Sequence, residues 1–153
     1  MQKQDSPRVL VPPPVLVLVT LIAGLALDDR YHGFPAIGVS SVPSFLLAAA
    51  GIALIGNGLG LFKRSGTSPE PWKPASKLVT SGVYAWTRNP MYLGLLLVYA
   101  GLAGLFRSPS AGLLFLPLAL IFDRVIIRRE EDYLSRHFGP DYQRYKRRVR
   151  RWL

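Results

Sequence analysis

The chain has 153 residues, of which 50% are hydrophobic, with a mean hydropathy of +0.24 and a formal net charge of +10. This length suits one domain, and the apolar residues form long blocks rather than the periodic pattern of a soluble core, which predicts an integral membrane protein. The lack of cysteine excludes disulfides, thiolate zinc sites and a cysteine nucleophile. The two histidines, His32 and His137, are interpreted as surface residues, and no metal site is expected.

Four apolar windows approach the roughly 20 residues that a helix needs to cross the hydrocarbon layer. They run from Val9 to Leu27, Pro43 to Phe62, Pro90 to Phe106 and Ser110 to Ile127. A cleaved signal peptide is the alternative for the first window, but that window runs into Asp28 and Asp29 rather than a small-residue cleavage site. The predicted fold is therefore all-α: a membrane bundle of about four transmembrane helices plus a cytoplasmic C-terminal helical segment.

The whole chain, 1–153, is predicted to be a single domain. Its four parts are two N-terminal spans (1–62), a cytoplasmic loop (63–89), a helical hairpin (90–127) and a cytoplasmic basic tail (128–153). Lys and Arg concentrate in the loop and the tail, which predicts that these parts and both termini are cytoplasmic. Because the positive charge gathers at membrane boundaries, we expect it to meet membrane lipids and expect no nucleic-acid partner.

Small and polar residues in the second window carry a packing prediction. Gly56 and Gly60 stand four residues apart, a spacing that lets helix backbones approach closely, so we expect them to pack the bundle. Asn57 is polar at membrane depth and faces either a partner helix or a cavity.

The most informative stretch runs from Gly82 to Gly94, where polar, aromatic and backbone-restricting residues separate two apolar segments. Asn89 followed by Pro90 predicts a helix start, with the Asn side chain capping free N–H groups. After the fourth window, Glu130 and Glu131 should continue as helix into water until Gly139 and Pro140 end it. From Asp141 to Arg151, tyrosines recur among basic residues at spacings of three and four, which predicts a basic amphipathic helix on a membrane surface.

Both polar clusters lie at the cytoplasmic boundary in this topology, so we expect them to meet. Adjacent carboxylates suit the ammonium group of a ligand, and tyrosine faces suit a cation or an adenine ring. These are the needs of a cationic cofactor such as a sulfonium. The alternative for Glu130 and Glu131 is a solvated pair balanced by Arg128 and Arg129, and for Arg88 a side chain that snorkels to the interface.

The pattern resembles the isoprenylcysteine carboxyl methyltransferase and phospholipid methyltransferase family of small integral membrane enzymes. The usual form of its motif is Leu-Val-x-x-Gly-x-Tyr-x-x-x-Arg-His-Pro-x-Tyr-x-Gly, followed by a Glu-Glu pair and Phe-Gly-x-x-Tyr. The resemblance covers about half of the chain, from Lys77 to the C-terminus. The matching residues are Leu78, Val79, Gly82, Tyr84, Arg88, Asn89, Pro90, Tyr92, Gly94, Glu130, Glu131, Phe138, Gly139, Tyr142 and Tyr145.

This resemblance implies methyl transfer from S-adenosyl-L-methionine to a membrane-resident acceptor, a lipid-like or prenylated molecule. The implied cofactor-binding residues are Lys77, Leu78, Val79, Tyr84, Asn89, Pro90, Met91, Tyr92, Glu130 and Glu131. Glu130 would hold the α-amino group of the cofactor. Arg88 and Arg124 are the candidate catalytic residues, each placed to orient an anionic substrate group.

Two departures from the family pattern affect the chemistry. Asn89 replaces the commoner histidine, so a histidine-type general base is not required. The Arg that prenylcysteine enzymes carry just before the Glu pair corresponds here to Ile126, which leaves the acceptor open among carboxylate, amine, thiol and hydroxyl. Two other functions stay open: a sterol reductase-type enzyme using NADPH, which shares the motif in chains with many more spans, and a non-catalytic membrane scaffold.

Overall fold

The structure is a computed structural model that describes residues 11–30, 41–68 and 76–153, so His32 lies outside the described residues. These ranges are helical, with one isolated parallel bridge between Thr87 and Arg150. The helices are α1 (Pro13–Arg30), α2 (Ser41–Ser65), α3 (Pro90–Leu105), α4 (Pro109–Ile121), α5 (Arg128–Phe138) and α6 (Pro140–Arg148). A 3₁₀ turn, Gly82–Ala85, precedes α3, and a π-helical turn, Phe122–Ile127, joins α4 to α5 in one continuous helical run.

Proline sets the start of two of these helices. Pro90 and Pro109 are the first residues of α3 and α4, where a missing N–H costs nothing. The hydroxyl of Ser108 accepts from the amide of Ala111 at 3.0 Å, and Asp28 at the end of α1 accepts from the amide of Ser110 at 3.1 Å. The Ser108 hydroxyl also donates a hydrogen bond to the Asp28 carboxylate. This cap fastens α1 to the α3–α4 hairpin.

Close packing in the bundle depends on glycines other than the predicted pair. A Cβ placed on Gly51 of α2 would lie 2.5 Å from the carbonyl oxygen of Gly94 on α3, and one placed on Gly101 would lie 2.6 Å from α2 backbone. By contrast, no atom of the described chain lies within 4 Å of a Cβ built on Gly56 or Gly60. The prediction that these two glycines pack the bundle is therefore wrong, because the α2 face that meets α3 is the neighbouring one.

The outer surfaces of the bundle are apolar. Large side chains such as Leu18, Phe45 and Leu113 are 56%, 62% and 69% exposed. Ser41–Ser65 and Pro109–Phe138 are long and apolar enough to cross a membrane, and only 17% and 33% of their apolar windows are buried. The core helix of a soluble protein would be mostly buried, so this exposure favours contact with lipid.

Two of the four predicted spans meet a length-and-composition test, and two do not. Pro90–Leu105 is apolar but shorter, and α1 ends in the charged residues Asp28, Asp29 and Arg30. The all-helical membrane architecture agrees with the prediction, while the number of four spans stays a prediction.

Candidate functional site

The site begins with the 3₁₀ turn between α2 and α3. Gly82 has a φ of +59°, and a Cβ there would lie 2.8 Å from the end of the Leu61 side chain, so this turn favours glycine. The turn buries Tyr84, whose ring packs edge-on against Phe62 of α2 at a centroid distance of 5.5 Å. Of the predicted residues just upstream, Val79 is buried, Leu78 is half-buried and Lys77 is exposed.

Glu130 lies at the centre of a tyrosine cluster. The hydroxyl of Tyr92 donates to Oε2 of Glu130 at 2.8 Å. Burial raises the pKa of Tyr84, and the negative charge of Glu130 raises it further. Within the described ranges no basic side chain forms an ion pair with Glu130. The first turn of α3 and the first turn of α5 thus meet, as the sequence predicts.

Glu131 has a different environment from its neighbour. Its buried carboxylate accepts from Nη2 of Arg88 at 2.8 Å and from Nη2 of Arg151 at 2.6 Å, and Nζ of Lys146 lies 3.8 Å away. Adjacent residues on a helix point about 100° apart, which explains why one Glu faces tyrosines and the other faces cations. The negative charge of Glu131 is therefore already neutralised by ion pairs with basic side chains of this chain.

The two predicted catalytic arginines lie in contrasting places. The Arg88 side chain is 8% exposed, and its Nη1 donates to the carbonyl of Lys146 at 3.2 Å. Its buried Nε has no hydrogen-bond partner in the described part of the chain. Arg124 is 75% exposed and pairs with the neighbouring Asp123 at 3.2 Å, so the structure brings Arg88 to the cluster and leaves Arg124 on the surface.

Residues 149–152, which we call the C-terminal strap, cross the site in extended form. The carbonyl of Arg150 accepts from the amide of Arg88 at 3.0 Å. The carbonyl of Arg151 accepts from Oγ1 of Thr87 at 3.1 Å and from Nδ2 of Asn89 at 2.9 Å. Asn89 is the N-cap residue of α3, but its side chain makes no capping bond, so its predicted capping role is wrong. Its amide is used to hold the strap instead.

The strap also reaches the end of α4. Nη1 of Arg151 and Nε1 of Trp152 donate to the same Oδ1 of Asp123, at 3.1 Å and 3.0 Å. Hydrogen bonds to Glu131 raise the pKa of the Arg151 guanidinium. Sequence reasoning missed Asp123, Arg151 and Trp152, and the only signal was a tryptophan at the end of a basic run.

The predicted basic amphipathic helix is present, but its tyrosine face packs against protein. Tyr142 and Tyr145 are buried, and the Tyr145 hydroxyl donates to the carbonyl of Tyr84 at 2.7 Å. Burial raises the pKa of both phenols. The helix ends at Arg148 rather than Arg151 because the strap turns extended. His137 is exposed and stacks on Tyr133, which confirms it as a surface residue.

Comparison with known proteins identifies the class of this chain. Residues 39–141 match the family model of the phospholipid methyltransferases. The chain belongs to the phospholipid methyltransferase family, and its exposed apolar helices agree with a membrane methyltransferase.

Individual relatives match over shorter stretches. Protein-S-isoprenylcysteine O-methyltransferase of Mus musculus is 39% identical over 72 residues, which cover 47% of this chain and 25% of the mouse protein. The Saccharomyces cerevisiae enzyme of the same name is 38% identical over 72 residues, which cover 47% of this chain and 30% of the yeast protein. An uncharacterised protein of Haemophilus influenzae is 41% identical over 63 residues, 41% of this chain and 100% of its own length. The match thus spans a quarter to a third of these two methyltransferases, and no solved structure matches the chain significantly.

Proposed function

We propose that this chain transfers a methyl group from S-adenosyl-L-methionine to a membrane-resident acceptor, at the cluster of Tyr84, Arg88, Tyr92 and Glu130. The observation that carries this proposal is the environment of Glu130, a half-buried carboxylate that meets a tyrosine hydroxyl and no cation of the described chain. A charge withdrawn from water is costly unless it is paired. The ammonium group of a ligand supplies the missing partner.

The donor groups at the cluster fit the amino-acid end of this cofactor. That end carries an ammonium and a carboxylate, and Glu130 suits the first. The buried, unpartnered Nε of Arg88 suits the second, since an N–H beside a carboxylate makes a charge-assisted hydrogen bond. Tyr84 and Tyr92 offer aromatic faces to a sulfonium or an adenine ring. Glu131 then supports the site by holding Arg88 in place.

The remaining predicted residues form the wall of this site in our proposal. Leu78 and Val79 supply apolar contacts below the turn, and Asn89, Pro90 and Met91 close the side that faces α3. Lys77, which is exposed, contributes at the rim. Arg124 is not part of the site, because its guanidinium lies on the surface beside Asp123.

S-adenosyl-L-methionine held by Glu130 and Arg88 would supply an electrophilic methyl group: the acceptor lone pair would form the new bond to carbon, and the carbon–sulfur electrons would leave with sulfur as a neutral thioether. A carboxylate acceptor gives an ester without releasing a proton, whereas an amine, thiol or hydroxyl acceptor releases one. The protein's contribution is alignment and exclusion of water by buried tyrosines, which needs no titrating histidine.

The acceptor is a lipid-like or prenylated molecule in this proposal. The relatives' names refer to isoprenylcysteine and the family name to phospholipid, and both are amphiphiles that reside in membranes. The exposed apolar faces of α1, α2 and α4 support an acceptor that resides in the membrane. We also propose four spans with both termini cytoplasmic, which puts Glu130 at the inner boundary of the bilayer.

The test is methyl transfer by the purified protein in liposomes of native lipid extract. Methyl-labelled S-adenosyl-L-methionine should place label in the lipid-soluble or prenyl-protein fraction, and S-adenosyl-L-homocysteine should inhibit it. Oxidation of NADPH without methyl incorporation would instead indicate the reductase. Absence of both activities, together with no cofactor binding, would favour the scaffold.

A further inference from the structure

A groove of about 420 Å³ runs along the face of α2 that does not pack on α3. This volume falls within the range of ligand pockets, roughly 300–1,000 Å³. It is lined by Gly56, Asn57, Gly60, Leu61, Arg64, Gly82 and Val83.

The groove exists because α2 carries glycines, which have no side chain, on this face. A Cβ added to Gly56 or Gly60 would find no described atom within 4 Å, whereas a Cβ on Gly58, on the adjacent face, would lie 2.9 Å from Met91. Helix α2 therefore packs through Gly51 and Gly58 and leaves Gly56 and Gly60 without a neighbour in the described part of the chain. Asn57 borders the same space, and its Nδ2 donates to the carbonyl of Ala53 in its own helix at 2.8 Å, while no group of the described chain donates to its Oδ1.

Charge distinguishes one end of this groove from the other. Arg64, in the last turn of α2, lines the groove and is exposed, and among the described residues no carboxylate pairs with it. Towards the middle of α2 the lining is Gly60, Leu61 and Gly56, with the amide of Asn57. This arrangement matches an amphiphile with an anionic polar end and an apolar chain that lies along α2.

The groove also adjoins the proposed site of chemistry. Gly82 and Val83 line it, and the next residue is Tyr84, whose hydroxyl lies 3.6 Å from a Cβ built on Gly58. A molecule in the groove thus lies against the 3₁₀ turn that carries Tyr84.

We propose that this groove is the acceptor-binding site, and that it takes a single-chain amphiphile whose anionic end is met by Arg64. This inference rests on the proposed function. It assigns acceptor recognition to Arg64 and Asn57 rather than to Arg88 or Arg124, because Arg88 is committed to Glu131 and Arg124 lies at the surface beside Asp123.

The test uses photolabelling of the full chain in liposomes with a single-chain fatty acid that carries a diazirine. Its alcohol and amine counterparts serve as head-group controls. We expect the carboxylate to label peptides containing 56–64 or 82–83 about tenfold more than the alcohol, the effect of one charge-assisted hydrogen bond. Arg64→Gln should abolish that preference, and Lys63→Gln, one residue away and exposed but outside the groove, should keep it.

A second pair of variants tests occupancy of the groove itself. Gly60→Leu should remove the labelling, and it fills open space without a backbone clash, so folding is retained. Ala50→Leu, on an exposed part of α2 away from the groove, is the matched control and should label as the parent chain does. Labelling spread over α1 and α4 without head-group preference, or labelling unchanged in Gly60→Leu, would overturn the proposal.

Titration of the same proteins with S-adenosyl-L-methionine separates the two claims. Groove variants should bind the cofactor like the parent chain while losing acceptor labelling. If the parent chain binds no cofactor, the proposed methyl transfer fails, and the labelling pattern still decides whether an anionic amphiphile occupies the groove. If the parent binds cofactor but labelling misses the groove, the acceptor site alone is wrong.

Discussion

The adjacent residues Glu130 and Glu131 have different surroundings and, in our proposal, different roles. Glu131 faces Arg88, Lys146 and Arg151, whereas Glu130 faces Tyr92. The sequence predicts the pair and its meeting with Tyr92. The sequence does not predict which of the two carboxylates forms ion pairs within the protein. That depends on Arg151, which lies 20 residues after Glu131 in sequence and contacts it only because of the C-terminal strap.

Removing the charge of Glu131 should destabilise the fold. Glu131→Gln leaves the buried guanidinium of Arg88 without its carboxylate, and breaking a buried pair costs about 3–5 kcal/mol. A large fall in the thermal unfolding midpoint in detergent would show this. Asp141→Asn breaks an exposed pair with Arg144 and should change stability by less than about 1 kcal/mol. Equal effects of the two substitutions would contradict the structural role of Glu131.

The phenol of Tyr84 should act through its ring and not through ionisation. Burial holds its pKa above the usual value near 10, so the hydroxyl stays protonated across the working pH range. Tyr84→Phe should therefore keep cofactor affinity within about twofold and leave the pH profile of methyl transfer unchanged, whereas Tyr84→Ala should weaken binding about tenfold through loss of the aromatic face. A basic limb of the pH profile that vanishes in Tyr84→Phe would contradict this prediction.

The elements of the site are held together by the C-terminal strap. It joins Thr87, Arg88 and Asn89 before α3 to Asp123 after α4 and to Glu131 on α5. Three of its hydrogen bonds go to the residues that follow the 3₁₀ turn. Loss of the strap should therefore increase the mobility of the turn that carries Tyr84 more than that of the helical bundle.

Hydrogen exchange can detect this coupling. Arg151→Gln removes the cation shared by Asp123 and Glu131, and amides in the 82–90 segment should exchange faster by about tenfold or more, the effect of losing a charged hydrogen bond. Arg148→Gln, exposed at the end of α6, should leave that segment unchanged. Unaltered exchange in Arg151→Gln would mean that the strap does not order the site.

Local signals predicted most element boundaries, and packing decided what they missed. Pro90, Gly139 and Pro140 mark helix ends in the sequence and do so in the structure. Gly56 and Gly60 carry the spacing of a packing motif, yet only the relative rotation of α2 and α3 decides which glycines meet a neighbour. Asn89 has the chemistry of a cap, but a carbonyl of the strap takes its amide.

At the scale of the whole molecule, the account predicts that the turn between α3 and α4 and the basic C-terminal tail face opposite sides of the membrane. The chain has no cysteine, so single-cysteine accessibility can be read without background. A membrane-impermeant maleimide should label Arg107→Cys, in the exposed turn of the α3–α4 hairpin, in intact cells, and Arg148→Cys only after permeabilisation. The opposite pattern would place the site on the outer face and contradict the proposed topology.

Composition was sufficient to predict a helical membrane protein, and a short motif to predict its family. The groove beside α2 could not be predicted from the sequence, because a cavity depends on how the packed helices leave space between their side chains. Sequence reasoning therefore left open whether Asn57 faces a partner helix or a cavity. The structure places Asn57 at the edge of that groove.

The central claim is that Glu130 holds the ammonium group of a methyl-donating cofactor, and calorimetric titration of the purified protein with S-adenosyl-L-methionine tests it most directly. The parent chain should bind with one site, Glu130→Gln should weaken binding at least about tenfold, and Asp132→Asn, an exposed carboxylate two residues away, should bind like the parent. Unchanged affinity in Glu130→Gln, or no binding by the parent chain, would contradict the account.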